Sequence, residues 1–173
     1  MSDDIDQSDR SALDDFALAP TDGNVPLCGG CRNQGHCRLG IYDVAYEDLD
    51  RVTVQAACDP SYRGGPTVAH GGWIAAVFDD ALAHAVLRDN PCVVTQNLTV
   101  SYRRPVPVST PLAIEANVRN RSGRTWAVEA QMFLDNAARP VLATASADFV
   151  ARTSDYYERH RRWMEDTGSR CET

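Results

Sequence analysis

One long helical pattern followed by four alternating segments limits what this chain can fold into. From Gly71 to about Asp89, apolar side chains recur with the period of an amphipathic helix, which Asn90 and Pro91 bring to an end. Period-two alternation, typical of half-buried strands, then occupies residues 93–103, 112–121, 124–134 and 141–152. Because their tight connections at 122–123 and 135–136 favour hairpins, the later strands should be antiparallel.

The segment before the helix completes the fold prediction. Alternation from residue 43 to 58 predicts one further half-buried strand. A single long helix against an antiparallel sheet of about five to six strands is an α+β arrangement in which the sheet wraps around the helix. Such a sheet leaves edge strands that pairing between subunits commonly covers, so we expect a homo-oligomer, either a dimer or a tetramer.

The 173 residues suffice for one domain with a sizeable core. We expect an acidic, disordered tail at 1–24, the folded domain at 25–153, and a C-terminal helix and tail at 154–173. Ser154 is the predicted cap of that last helix.

Charge and cysteine content narrow the function classes. The net charge of −7 disfavours a nucleic-acid or anionic-membrane surface, and all 17 basic residues are arginine, which excludes a catalytic lysine. The N-terminus carries acidic residues and no apolar run is long enough to span a bilayer, so a soluble, cytoplasmic protein is expected. Six cysteines in such a chain indicate reduced thiols rather than a disulfide framework.

The segment Tyr62–Asp80, YRGGPTVAHGGWIAAVFDD, joins a glycine-rich loop to the first turns of the helix. The N–H groups at a helix start lack partners and carry the positive end of the dipole, so they favour an oxygen that gains negative charge. Gly71 and Gly72 allow close approach of a ligand to this backbone. Two turns later Asp79 carries a carboxylate suited to general-base chemistry. Taken alone, such residues more often form a tight turn and a solvated helix edge.

The two adjacent aspartates are predicted to lie on different flanks of the helix. A helical wheel places Asp79 beside small alanines, where another backbone can come close, and places Asp80 with His84 at i, i+4 on the other flank. We predict that Asp80 and His84 form a surface ion pair. Asp79 is therefore the better candidate for chemistry.

A cysteine-rich stretch precedes the first strand. Cys28, Cys31 and His36 have the spacing that opens a zinc knuckle, and Cys37 offers a fourth soft ligand. A knuckle needs its last cysteine several residues later, whereas His36 and Cys37 are adjacent. We favour a turn-rich lead-in without a metal, with zinc as the alternative.

Residues 26–152 resemble the hot-dog fold acyl-CoA thioesterases, specifically the phenylacetate-degradation type. The segment YRGGPTVAHGGWIAAVFDDALA is similar to that family's Y-x-G-x-P-x-x-x-H-G-G followed by an acid nine residues after the histidine. The preceding C-x2-C and the later TQNLTVSYRRPVP are similar to the family's lead-in and to its strand that ends in a proline-rich turn.

This resemblance implies roles for particular residues. Asp79 matches the helix carboxylate that activates water or attacks the thioester carbonyl, and Gly71 matches the backbone N–H that polarises that carbonyl. His70 matches the histidine that shapes the turn, and Thr95 falls where a hydroxyl helps to hold the nucleophilic water. In the family the site lies at a subunit interface. Strand parity groups Thr95 with the polar residues Asn97, Thr99 and Ser101, which leaves its direction relative to Asp79 open.

Substrate contacts follow from the same resemblance. Gly72 and Trp73 lie beside the predicted carbonyl site, where the bulk of Trp73 is expected to narrow the acyl pocket. Coenzyme A carries phosphates, and Arg63, Arg103 and Arg104 are the candidate cations.

The predicted function is hydrolysis of an acyl-CoA to a carboxylic acid and free CoA, with no cofactor beyond the CoA of the substrate. Two alternatives stay open. One is a hot-dog dehydratase using His70, and the other is a non-catalytic acyl-CoA-binding or sensing protein.

Overall fold

The computed structural model describes residues 25–168, so the predicted acidic tail at 1–24 lies outside the described residues. A short helix α1 (Gly29–Arg32) leads into the main α+β domain, and a long helix α2 (Gly71–Leu87) follows the first strands. A last helix α3 (Tyr156–Gly168) ends the described part. The strands are β1 (Ile41–Tyr46), β2 (Arg51–Ala56), β3 (Arg63–Gly65), β4 (Val68–Ala69), β5 (Val93–Tyr102), β6 (Leu112–Ser122), β7 (Thr125–Leu134) and β8 (Val141–Ala151).

Six of these strands form one antiparallel sheet that wraps around α2, which confirms the predicted fold class. The strand order is β1-β2-β6-β7-β8-β5, and β3 and β4 form a separate small hairpin. The predicted apolar face of α2 is buried against the sheet: Ile74, Val77, Phe78, Ala81, Leu82 and Ala85. Because β5 pairs only with β8, its other edge is open within the described chain.

The single strand predicted for residues 43–58 is wrong, because this segment forms the β1–β2 hairpin. The turn is built by acidic residues that the alternation pattern concealed. Asp48 Oδ1 accepts a hydrogen bond from Asp50 N at 2.9 Å, and Glu47 N donates to Arg51 O at 3.1 Å. An aspartate that binds the backbone two residues on is a turn former, and it reverses the chain between two runs of similar parity.

The segment from Val25 to Ile41 covers one side of α2. Val25, Leu27 and Cys31 are buried, and the indole Nε1 of Trp73 donates to Leu39 O at 3.2 Å. The N-terminal segment is therefore part of the core of the domain and closes one flank of the helix.

Helix α3 lies within the segment predicted to form the C-terminal helix, and it begins at Tyr156 rather than at the predicted cap Ser154. Most of its side chains are exposed. Within the described range, no helix is both long enough and apolar enough to cross a membrane.

Candidate active site

The start of α2 is fixed by His70. This residue is the N-cap, with an extended backbone (φ −67°, ψ 140°), and its Nδ1 accepts a hydrogen bond from Gly72 N at 2.9 Å. His70 O accepts from Trp73 N at 3.0 Å and from Ile74 N at 3.2 Å. An Nδ1 that accepts leaves the proton of a neutral imidazole on Nε2. The predicted turn-shaping role of His70 has a direct structural basis in this cap.

Among the amides of the first turn, the Gly71 N–H remains available to a ligand. Between residues 25 and 168, the first-turn amides of Gly72, Trp73 and Ile74 all have partners, whereas no hydrogen bond involves Gly71 N–H. The same peptide unit carries His70 O, which accepts two bonds, and such polarisation strengthens the opposite N–H as a donor. An unpaired N–H at the positive end of a helix is suited to an oxyanion.

The hairpin β3–β4 holds His70 in place, a contribution that the sequence analysis missed. His70 N donates to Tyr62 O at 2.8 Å, and Ala69 N donates to Val106 O at 2.8 Å. Gly64 packs directly on the cap, since a Cβ there would lie 2.9 Å from His70 Cα. Only glycine permits this approach. The Y-x-G-x-P spacing of the sequence contained the signal for this contact, because its glycine is Gly64, to which the sequence analysis gave no role.

Asp79 is half-buried on the flank of α2 that faces β5. Thr95 Oγ1 donates to Asp79 Oδ1 at 2.8 Å, so the two residues that the resemblance paired are in contact. Strand parity had left the direction of Thr95 open, and a bulge in β5 accounts for the direction observed. Thr95 pairs with Phe149 and Asn97 pairs with Asp148, which leaves Gln96 as an extra residue. A bulge redirects the side chains beside it. Thr95 therefore lies on the same face of the sheet as its partner Phe149, which is the face towards α2.

The predicted surface ion pair between Asp80 and His84 is wrong, because this flank is covered by the N-terminal segment. His84 is only 4% exposed, and its Nδ1 lies 3.1 Å from the Tyr46 hydroxyl. Burial lowers the pKa of His84 to about 4. Burial also raises the pKa of Asp80 to about 6, with a further contribution from Asp79 and an opposing one from Arg38. Asp80 and His84 line a cavity of about 50 Å³.

The predicted substrate contacts lie in three different environments. Trp73 is 3% exposed and belongs to the core of this chain. Arg63 is exposed on β3, which pairs with the strand before His70. Arg104 donates through Nη1 to Val141 O at 2.9 Å, and Arg103 lines a groove of about 440 Å³ on the outer face of the sheet.

The cysteine-rich stretch contributes thiols to packing. Cys31 and Cys37 are buried, and the five cysteines of the described chain are free thiols. His36 is exposed, with Nδ1 2.9 Å from Gln34 O. Over residues 25–168, no group of three or more His, Cys, Asp or Glu side chains is arranged to hold a metal ion.

The two chemical groups of the site are separated along α2. Eight residues at a rise of about 1.5 Å put Gly71 and Asp79 roughly 12 Å apart along the helix axis. Strand β5 runs beside them in the opposite direction, with Thr95 at Asp79 and the Tyr102 hydroxyl 3.0 Å from Gly71 O. One carbonyl cannot reach both groups of a single chain.

A sheet of six antiparallel strands that wraps around one helix, with a capped and glycine-rich helix start, is the hot-dog fold. Solved structures agree. The PaaI protein from the phenylacetic acid degradation operon of E. coli has a TM-score of 0.56 at 20% identity over 64% of this chain and 79% of its own. The phenylacetic acid degradation-related protein of Ralstonia eutropha has a TM-score of 0.60 at 20% identity, over 73% of this chain and 92% of its own.

Residues 67–141, which contain Gly71, Asp79 and Thr95, match the family model of the thioesterase superfamily. The acyl-coenzyme A thioesterase THEM4 of Xenopus laevis is 34% identical over 65 residues, which are 38% of this chain and 29% of the relative. The same enzyme of Bos taurus is 30% identical over 88 residues, or 50% of this chain and 36% of the relative. The matches thus span about a third of these curated relatives.

Proposed function

We propose that the protein hydrolyses an acyl-CoA thioester to a carboxylic acid and free CoA. The observation that carries this proposal is the pairing of a hydroxyl-supported carboxylate, Asp79, with an unpaired helix-start N–H, Gly71, along one edge strand. Thioester hydrolysis needs these two functions: a group that makes the nucleophile and a donor for the oxyanion. The named activity of the relatives supports the same reaction class.

Asp79 would generate the nucleophile. The Thr95 hydroxyl occupies Oδ1 of Asp79, and Oδ2 is then available to take a proton from water. The water oxygen attacks the carbonyl carbon, the C–S bond breaks as the tetrahedral intermediate collapses, and the proton passes to the departing thiolate. Direct attack by the carboxylate is the second route. It forms an anhydride that water then cleaves.

Gly71 would hold the developing oxyanion. A single backbone N–H at a helix start, already polarised through His70 O, donates without reorganisation as negative charge forms on the carbonyl oxygen. His70 would act on the turn rather than on a proton, since its Nδ1 is committed to Gly72 N. This commitment favours hydrolysis over the dehydratase alternative, which needs a free imidazole.

Two chains would complete each site. The separation of about 12 Å along α2 requires that Asp79 of one chain serve a carbonyl held by Gly71 of another. Antiparallel pairing of two β5 edges does this, because β5 carries Thr95 near one end and Tyr102 at the other. The open β5 edge supports such pairing. We therefore propose a homodimer or a tetramer built from such dimers, with Arg63 and Arg104 as the phosphate-binding cations.

Free thiol released from a panel of acyl-CoAs tests the reaction. Wild-type protein should release thiol from at least one substrate. Gly71→Pro should abolish most of this release, because proline lacks the N–H, and its ring is tolerated at the first helical position. The extended backbone of His70 also suits a following proline. Gly71→Ala is the matched control and keeps the donor, since its Cβ would lie at an ordinary 3.5 Å from Tyr102.

Mixing two inactive variants tests the two-chain site. Asp79→Asn and Gly71→Pro chains, unfolded and refolded together, should regain activity, because half of the sites in a mixed dimer contain neither defect. No recovery in confirmed mixed dimers would contradict the shared site. Substrate binding without thiol release by the wild-type chain would instead establish the acyl-CoA-sensing alternative.

A further inference from the structure

Tyr102 makes a contact that the reaction scheme does not use. It is the last residue of β5, and its hydroxyl donates to Gly71 O at 3.0 Å. Its ring lies against the same residue, since a Cβ on Gly71 would be 3.5 Å from the Tyr102 Cζ and hydroxyl oxygen. Yet Tyr102 is 55% exposed, so burial does not account for its position.

The hydrogen bond from the Tyr102 hydroxyl reaches the same residue that supplies the proposed oxyanion donor. In helical geometry, Gly71 O receives a first hydrogen bond from the N–H four residues on. A carbonyl oxygen accepts two bonds, and the phenol takes the second place. Gly71 has no side chain with which to anchor itself, and glycine is the most flexible residue in a helix. The phenol and its ring supply this missing anchor.

Strand β5 therefore contacts both working groups of α2 through hydroxyls. Thr95 holds Asp79 at 2.8 Å, and Tyr102 holds Gly71 at 3.0 Å, seven residues further along the same strand. These bonds fix the acid and the oxyanion donor relative to the strand whose open edge is the proposed subunit contact. The strand then sets where the two groups of neighbouring chains meet.

We infer that Tyr102 is a positioning residue that holds the Gly71 N–H in line with the thioester carbonyl. This role rests on the proposed function, because Gly71 must be the oxyanion donor. It acts on the transition state rather than on ground-state binding, because the oxyanion exists only once the carbonyl has been attacked. Loss of the hydroxyl should lower kcat and leave KM unchanged.

Tyr102→Phe removes the hydroxyl and retains the ring. A lost neutral hydrogen bond corresponds to roughly a fivefold decrease in kcat. Tyr42→Phe is the matched control, since Tyr42 is also an exposed tyrosine, at 50%, on the distant strand β1. The control should keep its kcat.

A double-mutant cycle identifies the residue through which Tyr102 acts. In a Gly71→Pro background, which lacks the N–H, Tyr102→Phe should cause no further loss of the residual kcat. In a Thr95→Val background the two losses should multiply. An equal loss in both backgrounds would overturn the positioning role, as would an unchanged kcat in the single variant.

The order parameter of the Gly71 amide, from NMR relaxation on the full chain, gives a readout that needs no substrate. Tyr102→Phe should lower this order parameter, and Tyr42→Phe should leave it unchanged. If the wild-type chain releases no thiol, the proposed function fails, while the order parameter still decides whether Tyr102 holds Gly71. An unchanged order parameter in Tyr102→Phe would refute the inference whatever the activity.

Discussion

Neighbouring aspartates on α2 lie in opposite environments. Asp79 faces the open edge of β5, where a threonine hydroxyl supports it and solvent or another chain can reach it. Asp80 lies under the N-terminal segment, beside the buried His84 and a cavity of about 50 Å³. We call these the open flank and the closed flank.

The difference lies in what covers each flank rather than in the helix itself. Both acids belong to one regular helix, and a rotation of about 100° separates them. On the closed flank, burial disfavours the charged forms of both titrating groups and gives no access for a substrate. The proposed chemistry is therefore assigned to the open flank, and the closed flank is expected to affect stability and its pH dependence.

The largest expected effect separates the two acids by activity. Asp79→Asn should reduce thiol release by about 10²- to 10⁴-fold, the usual contribution of a general base. Asp80→Asn should remain within about tenfold of wild type, because its side chain does not reach the open flank. Steady-state kinetics on the best acyl-CoA would measure both. Comparable losses in the two variants would break the distinction between the flanks.

The second effect concerns the pH dependence of stability on the closed flank. His84 has a lowered pKa, about 4 against an ordinary 6.5. Its contribution to the free energy of unfolding is therefore full above pH 6.5 and is lost as the pH falls to 4. Asp80 has a raised pKa, about 6 against 3.8. The free energy of unfolding therefore decreases at this site as the pH rises from 3.8 to 6. In the wild type, the pH dependences of stability from His84 and Asp80 have opposite signs.

Single substitutions should separate these slopes. Asp80→Asn should lose up to about 3 kcal/mol of unfolding free energy between pH 6.5 and 4, and His84→Asn should gain a similar amount over the same range. The asparagine introduced by His84→Asn would retain a polar atom near the position of Nδ1, which faces the Tyr46 hydroxyl. Urea titrations at several pH values would measure the slopes. Parallel slopes in both variants and the wild type would contradict the assignment.

Next in size is a pair of glycine substitutions. Gly64→Ala beside the start of α2 should cost about 2 kcal/mol and impair activity, because its Cβ would meet His70 Cα at 2.9 Å. Gly30→Ala beside the closed flank should be nearly neutral, since its Cβ would meet the movable end of Arg38 at 2.7 Å. Thermal unfolding and thiol release would be compared, and equal costs would show that His70 has room to shift.

The smallest effect comes from removing one hydroxyl on each flank. Thr95→Val should lower kcat about tenfold, because the support for Asp79 is lost, and Thr95→Ser should restore most of it. Tyr46→Phe removes the hydroxyl beside His84 and should alter stability without changing kcat. A fall in kcat for Tyr46→Phe would mean that the closed flank takes part in the reaction.

Local patterns predicted most of the fold. The periods of α2 and of the last four strands gave bounds within one or two residues of those observed. The helix start at Gly71 was also predictable, because glycines and a capping histidine are local signals. The β1–β2 hairpin was missed because both strands share one alternation across a turn of acidic residues.

The features that the sequence did not predict depend on contacts between distant segments. The direction of Thr95 follows from the extra residue Gln96, and a bulge arises from pairing with β8 that strand periodicity alone does not contain. The burial of His84 depends on the fold of a segment about 50 residues earlier. The Tyr102 contact joins residues 31 positions apart. Wheel and parity arguments describe one element at a time and cannot place such partners.

The separation of Gly71 and Asp79 along α2 has a consequence for mixed populations of chains. If each site takes its donor from one chain and its acid from the other, a chain that carries both Gly71→Pro and Asp79→Asn disables both sites of any dimer it enters. Such a chain would be dominant negative, whereas a chain with either single change leaves one intact site in each mixed dimer. Co-expression with wild type should therefore inhibit activity most strongly for the double variant, as a direct result of the distance between Gly71 and Asp79 along α2.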